Sequence, residues 1–323
     1  MQTKILAALR EANDYLSGAA LSEQFGITRS AVWKHITKLK SEGYVIDSIR
    51  NRGYKLLSAP DILDADTISK ALADNAIAHP LITLKITDST NEEAKRLARQ
   101  NAAPHGLVVT AEEQTAGKGR LGRQWCAGHD GGMYFSLLLR PDLPPSDIAS
   151  ITLAAGYAVC LAIRQFTNLP AKIKWPNDII IGNKKLCGIL TEMAAQSDKV
   201  DYVIIGIGIN VNNTSFPEAI ASKATSLALE AGHTWNKNDL LICVLRFLEQ
   251  VLSRFFVSLS IEDVAHFNRL CATIGRKVTV ERGGQQITGV ARTVSASGEL
   301  IIRTDEGREL TVSSGEVTVQ GIY

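Results

Sequence analysis

The stretch Ala116-Gly117-Lys118-Gly119-Arg120-Leu121-Gly122-Arg123-Gln124-Trp125 sets three glycines among three cations and ends on an indole. It restricts the fold more sharply than any other segment, because two common phosphate-binding architectures are built around glycine loops of this kind. Gly117, Gly119 and Gly122 satisfy G-x-G-x-x-G. That fingerprint, however, requires a strand running in and a helix running out of the last glycine. Here the exit, residues 124–132, has no helical period. The P-loop pattern fails as well, since Gly119 stands after Lys118 where a Ser or Thr would bind magnesium. Neither a dinucleotide-binding sheet nor a P-loop enzyme fits. The segment is expected to be a mobile cationic loop that an anionic ligand orders; the plainer alternative is a solvated hairpin tip.

At 323 residues the chain is long for one core, and two or three domains are expected. The N-terminus runs directly into an amphipathic pattern and shows no signal peptide. The most apolar stretch, residues 148–163, is interrupted by Ser150, Thr152 and Tyr157. It is shorter than the roughly 20 residues a membrane span needs and reads as a buried helix. Five cysteines lie far apart without a C-x-x-C pair, which points to a reducing, cytoplasmic setting and to neither a disulfide framework nor a structural zinc. Net charge is only +2, but residues 1–57 hold nine Lys/Arg against five Asp/Glu. The remainder holds 26 against 28, so the N-terminal end is where nucleic acid would bind.

That end reads as a winged helix-turn-helix. A first helix is expected over residues 2–15, with Ile5, Leu6 and Leu9 on one face. A second, over 19–25, buries Leu21 and Phe25, and Gly26 supplies the positive-φ turn. Thr28 caps a third helix in which Val32, Ile36 and Leu39 face inward. That spacing turns Arg29, Ser30, Trp33, Lys34 and Thr37 outward, as donors and cations suited to a DNA groove and its phosphates. Two short apolar runs, 44–49 and 54–57, flank Arg50-Asn51-Arg52-Gly53, so the wing would carry Arg50 and Arg52 toward the DNA backbone. The competing reading is a three-helix protein-binding module, against which the arginines on both helix and wing weigh.

The middle of the chain alternates strands and helices as a mixed sheet with helices on one face would. A strand at 82–86 leads into Asp88-Ser89-Thr90-Asn91 and a helix over 92–101; those side chains could cap the helix or bind a neutral polar head group. Strands at 107–111 and 133–139 flank the glycine-cation loop, with an apolar helix next over 146–166. Residues 179–181 and 184–192 form a hairpin around Gly182-Asn183, with Asp178 before it and Lys185 just after its turn. The strand Ile204-Ile205-Gly206-Ile207-Gly208-Ile209-Asn210 has glycines that permit close approach by another backbone or a ligand.

In that order, DSTN (88–91), AGKGRLGRQW (116–125), KWPND (174–178), KLCGIL (185–190) and GIGINVN (206–212) resemble the motifs of biotin protein ligases. With a winged helix in front, the whole chain resembles the bifunctional form that also represses the biotin operon. The resemblance implies an α+β protein in three parts. These are a winged helix-turn-helix domain over 1–63, a class II synthetase-like ligase domain over 64–271, and a small SH3-like barrel over 272–323. Short strands at 278–281, 287–294, 300–303 and 309–312 suit that last part.

The resemblance further implies the activity: ATP and Mg2+ convert biotin to biotinyl-5′-AMP with loss of pyrophosphate. Biotin then passes to one lysine of the biotin carboxyl carrier protein of acetyl-CoA carboxylase. Ser89, Thr90, Asn91, Gln114 and Gly188 would contact biotin. Lys118, Gly119, Arg120 and Lys185 would hold its carboxylate and the α-phosphate. Gly117, Arg123, Trp125, Asn177 and Asn210 would face the nucleotide, with Trp125 stacked on adenine. Asp178 would polarise the acceptor lysine or help hold the metal, alongside Lys185, Arg120 and Lys118 as the catalytic set. The adenylate would also act as corepressor, favouring a homodimer that binds operator DNA. One residue departs from the family pattern: Lys118 stands where arginine is usual. The nearest competitor is a lipoate–protein ligase, and a different class is a non-catalytic ligand-sensing repressor. KWPND and the loop favour biotin, and Lys185 with Arg120 favour catalysis.

Overall fold

The computed structural model of the chain describes all residues except 59, 101–102, 127–130, 143, 146–147, 197–198, 256–259, 283–284 and 314. The chain divides into two units, Met1–Ile62 and Leu63–Tyr323.

In the first unit, α1 (Gln2–Glu11) buries Ile5, Leu6 and Leu9. It stops short of residue 15, where the sequence pattern placed its end. Ala12 is already extended, and the Tyr15 hydroxyl donates to Asp47 Oδ2 at 2.6 Å, a tertiary bond that takes the last turn out of the helix. The Ser17 side chain caps α2 (Gly18–Phe25) by accepting from Ala20 N, and Gly26 ends it at φ 62°. Phe25, expected to be buried, is half-buried. Thr28 caps α3 (Arg29–Ser41), whose Val32, Ile36 and Leu39 face the core. Then β1 (Val45–Ile49) and β2 (Gly53–Ser58) pair antiparallel as the wing.

The second unit begins with α4 (Ala65–Ala71), β3 (Leu81–Thr87), α5 (Thr90–Arg99), β4 (Val108–Gln114) and β5 (Met133–Leu139). Next come α6 (Ile148–Thr167), β6 (Lys172–Lys174), β7 (Asp178–Ile181), β8 (Lys184–Gln196) and β9 (Lys199–Ile209). Residues 146–147, the expected start of α6, lie outside the described residues. Helices α7 (Glu218–Ala221), α8 (Leu227–Ala231), α9 (Lys237–Phe255) and α10 (Ile261–Leu270) complete this part. The sheet order is β3-β4-β5-β9-β8-β7-β6. It is mixed: β3 and β4 run parallel, as their crossover through α5 requires, and the remaining pairs are antiparallel.

Phe135, Leu137, Ile205 and Ile207 join one core with α6 and α9, while the alternating Leu138 and Ile204 join another with Ala94 and Ala98 of α5. Alternation along a strand puts these sets on opposite faces. The two long helices therefore share one face, α6 covering the sheet as expected, and the short α5 covers the other.

The C-terminal sheet comprises β10 (Lys277–Arg282), β11 (Gln285–Val294), β12 (Leu300–Arg303), β13 (Glu309–Val312) and β14 (Glu316–Val319). Its order is β13-β12-β11-β10-β14, antiparallel throughout. The sequence pattern missed β14, a four-residue strand that buries Val317 and Val319. The Gly-Gly turn expected between β10 and β11 lies outside the described residues. This sheet shares a core with the ligase sheet and is tied to it directly: Trp175 N bonds Thr273 Oγ1 at 3.0 Å, and the buried Trp175 indole bonds Gly298 O at 3.0 Å. All five cysteines are free, and burial pushes the Cys160 thiol up to about 12. Among the described residues no helix is long and apolar enough to cross a membrane.

Candidate active site

Gly188 of β8 and Gly208 of β9 face one another across the sheet, and Gly206 lies opposite Leu190. Missing side chains at these positions leave a shallow floor, and what lies on it is the chain's own. A Cβ on Gly188 would come within 2.8 Å of the Trp125 ring, and one on Gly208 within 2.6 Å. One on Gly206 would overlap Asn91 Oδ1. The close approach that the glycines permit is thus made by side chains rather than by another backbone. The Trp125 Nε1–H is buried without a hydrogen-bond partner.

Ser89, Thr90 and Asn91, each 3% exposed, gather where α5 begins. Thr90 donates its backbone N–H to Gln114 Oε1 at 2.8 Å, with its hydroxyl 3.1 Å from the same oxygen. Ser136 Oγ, from the middle of β5, lies 2.7 Å from Thr90 Oγ1 and 2.6 Å from Asn91 Oδ1. Asn91 Nδ2 donates to Glu192 Oε2 at 2.7 Å, and Lys95 neutralises that carboxylate. Ser89 makes no side-chain cap bond, so capping does not account for the cluster. Asp88, by contrast, is structural. Arg96 grips both its oxygens at 2.8 and 2.9 Å and holds its carboxyl far below the usual carboxylate range.

The glycine-cation loop takes the form that stood as the plainer alternative, a hairpin tip. It folds as a small hairpin, with Gly119 N bonding Arg123 O at 2.7 Å and Trp125 N bonding Gly117 O at 2.9 Å. Leu121 and Gly122 take positive φ at its tip, and Leu121 is 71% exposed. The Lys118 ammonium reaches Glu92 Oε1 at 2.6 Å. Arg120 donates to Asn177 Oδ1 at 3.1 Å and to Gly315 O at 3.2 Å, tying the loop to both KWPND and the C-terminal sheet. Burial pulls the Arg120 pKa below its ordinary value, with Asp178 countering.

Across the cavity, Lys185 Nζ lies 2.7 Å from Asp178 Oδ1, a close ion pair whose angles fall short of a hydrogen bond. The Lys174 ammonium sits 3.6 Å above the Tyr323 ring, and burial pulls its pKa down to about 8. Together these residues enclose a cavity of about 530 Å3. Among the described residues six cations line it, namely Lys118, Arg120, Arg123, Lys174, Lys185 and Lys223, against the single carboxylate side chain of Asp178.

Ser89, Thr90, Asn91, Gln114, Gly119, Trp125, Asn177 and Gly188 line the same cavity. Gly117 and Asn210 do not. Gly117 lies at the loop's base beneath Trp125 O, and the buried Asn210 donates its amide to Thr225 O at 2.9 Å. The sequence reading missed Ser136, Glu192, Lys174, Lys223 and Tyr323. Two of them left a signal: Ser136 as a small polar residue within an apolar strand, and Lys174 as the first residue of KWPND. In the first unit, Arg29, Ser30, Trp33, Lys34 and Thr37 are all exposed on α3 and Arg50 is exposed at the wing tip. Arg52 pairs with Asp14 at 3.0 Å and lies over the Tyr15 ring.

A sheet whose cavity combines an uncharged amide-and-hydroxyl recess with a set of cations, in a chain that also carries a helix-turn-helix unit, fits a ligase of the cofactor-attachment class. Residues 83–210 match the Biotin/lipoate A/B protein ligase family, 2–55 an HTH domain and 273–319 the Biotin protein ligase C terminal domain. The chain is 36% identical to the bifunctional ligase/repressor BirA of Bacillus subtilis over 91% of each chain. It is 34% identical to the biotin–[acetyl-CoA-carboxylase] ligase of Mycobacterium tuberculosis over 72% of this chain and 85% of that one. It superposes on the Aquifex aeolicus biotin protein ligase in complex with biotin and ATP with a TM-score of 0.66 and 33% identity, over 74% of this chain and 99% of that one. The chain belongs to the biotin protein ligase family, in the form that carries an N-terminal helix-turn-helix domain.

Proposed function

We propose that the cavity binds biotin and ATP, forms biotinyl-5′-AMP with release of pyrophosphate, and passes biotin to one lysine of the biotin carboxyl carrier protein of acetyl-CoA carboxylase. The observation that carries this reading is the pairing, in one cavity, of a neutral hydrogen-bonding recess with six cations and, among the described residues, one carboxylate side chain. The recess suits a ureido head: Ser89, Thr90, Asn91 and Gln114 offer donors and acceptors without charge. The cations suit the activation step. Attack of a carboxylate on an α-phosphate sets like charges together, and fixed cations relieve that repulsion while stabilising the leaving pyrophosphate. Lys185 and Arg120 line the same cavity as the recess and KWPND, and Lys118 and Arg123 reach it from the glycine-cation loop. Asp178, the cavity's one carboxylate side chain, accepts the proton-rich end of the incoming lysine.

Among the described residues no three acids, histidines or cysteines cluster as a metal site. That fits Mg2+ held chiefly by ATP oxygens, with Asp178 as the carboxylate side chain among the described residues lining the cavity. The metal would neutralise phosphate charge. Trp125 rests with one side against the Gly188–Gly208 pair and lines the cavity, so its indole offers the flat surface on which adenine would stack. The exposed face of α3 and the wing bind operator DNA, and the adenylate-bound protein acts there as a homodimer, two units reading two half-sites.

The reading is tested by incubating the protein with a biotin carboxyl carrier domain, Mg-ATP and either biotin or lipoate, and tracking the carrier by mass spectrometry. Biotin-dependent modification of one carrier lysine is expected. Modification with lipoate alone would move the chain to the other ligase class, and modification with neither would leave a ligand-sensing repressor.

A further inference from the structure

The chain turns back after β14 through Gly321, whose φ of 77° suits glycine, and Val319 bridges Ile322. Tyr323 then reaches into the ligase cavity. Its backbone N–H bonds Asn183 O at 3.1 Å, in the turn just before Lys185. Its hydroxyl donates to Asp178 Oδ2, and its ring lies 3.6 Å beneath the Lys174 ammonium. Packing alone would explain the ring. It does not explain a hydroxyl aimed at the cavity's one carboxylate side chain, nor a cation centred on the ring face.

We propose that Tyr323 is a positioning residue for the transfer step: it fixes the Asp178 carboxylate and the Lys174 ammonium, so the C-terminal sheet completes the ligase site. The inference rests on the proposed ligase activity. Lys185 holds Asp178 Oδ1 and Tyr323 holds Oδ2, which together stop the carboxylate from rotating. A carboxylate offers about four acceptor sites; Oδ1 is buried against Lys185, so the second site on Oδ2, beside the Tyr323 hydroxyl, is the one left to meet the acceptor lysine. In the step served, the lysine nitrogen forms the new C–N bond while the C–O bond to the AMP phosphate breaks and AMP leaves with the electron pair. The lysine ammonium loses one proton to solvent to become the attacking amine and a second as the amide forms, and a carboxylate held in one orientation aligns that amine for the attack.

The test uses the full chain with Tyr323→Phe, which keeps the ring over which Lys174 sits, and Tyr323→Leu, which removes ring and hydroxyl. Each is assayed for biotin-dependent pyrophosphate exchange, for single-turnover transfer from preformed adenylate to the carrier domain, and for thermal unfolding. Losing a hydrogen bond to a charged group predicts that Tyr323→Phe slows the transfer rate constant by about tenfold or more, with a smaller loss of exchange and little change in the carrier KM. Tyr323→Leu should add a loss of exchange, because Lys174 loses its support. Equal losses in both half-reactions that track a fall in Tm would make Tyr323 merely structural and overturn the proposal. Transfer that is unchanged or faster in Tyr323→Phe would overturn it too. Wild type run alongside separates the two levels: no exchange or transfer there defeats the ligase reading itself.

Discussion

Lys174 shows how one residue's burial sets a pH dependence. It is 8% exposed, and burial holds its pKa at about 8, with Asp178 opposing the fall and Lys185 and Arg123 adding to it. Between about 8 and the ordinary 10.5 the unfolded chain therefore binds the extra proton. This group's contribution to stability is least favourable at neutral pH and recovers as pH rises through that window. Activity should move the other way, since the cation is lost. The kcat/KM of pyrophosphate exchange is expected to fall with a midpoint near pH 8, and Lys174→Arg, always charged, should carry that limb to higher pH. A limb that stays in place in the variant would assign it elsewhere. Lys118 keeps the charge of the family's arginine but not its two-pronged grip, and its ammonium rests on Glu92. Lys118→Arg should slow escape of biotinyl-5′-AMP, measured by chasing labelled adenylate; an equal or faster off-rate refutes this.

At the scale of elements, β8 and β9 make the floor of the site through glycines that only their partners explain. Gly206→Ala would drive a Cβ into Asn91, whose side chain is fixed by Ser136 and Glu192 and cannot yield cheaply. Biotin affinity measured by calorimetry should fall by about tenfold or more, the scale of losing a buried hydrogen bond. Unchanged affinity would detach Asn91 from the site. The glycine-bearing strand was legible in the sequence as a place of close approach, but its occupants were not. Asn91 and Trp125 are roughly a hundred residues away along the chain, and one-dimensional spacing carries no such contact. For the same reason α1 looked four residues longer than it is: the bond from Tyr15 to Asp47 is tertiary. The wholly buried strand Met133–Leu139 has no polar alternation, so nothing in it told which face α5 would cover. Tyr323 left no pattern at all.

Over the whole molecule, two functions are divided between two units. The recognition helix was readable because three buried positions fix which side chains face out. The wing was read as two equivalent arginines. Both are exposed, but Arg52 is engaged by Asp14 and Tyr15. Replacing Arg50 and Arg52 together with alanine should weaken binding to all DNA sequences and reduce the salt slope by about one to two ions, with most of the change from Arg50. An unchanged slope would remove the wing from the interface.

The central claim, that the cationic cavity activates a carboxylate through its adenylate, is tested most directly by exchange of labelled pyrophosphate into ATP with Mg2+. The assay compares wild type and Lys185→Ala, with biotin or lipoate as the acid. The account predicts exchange that requires biotin, ignores lipoate and falls by at least about a hundredfold when Lys185 is removed, the scale of losing one transition-state charge contact. Exchange that persists undiminished in Lys185→Ala, or that appears with neither acid in wild type, would contradict it.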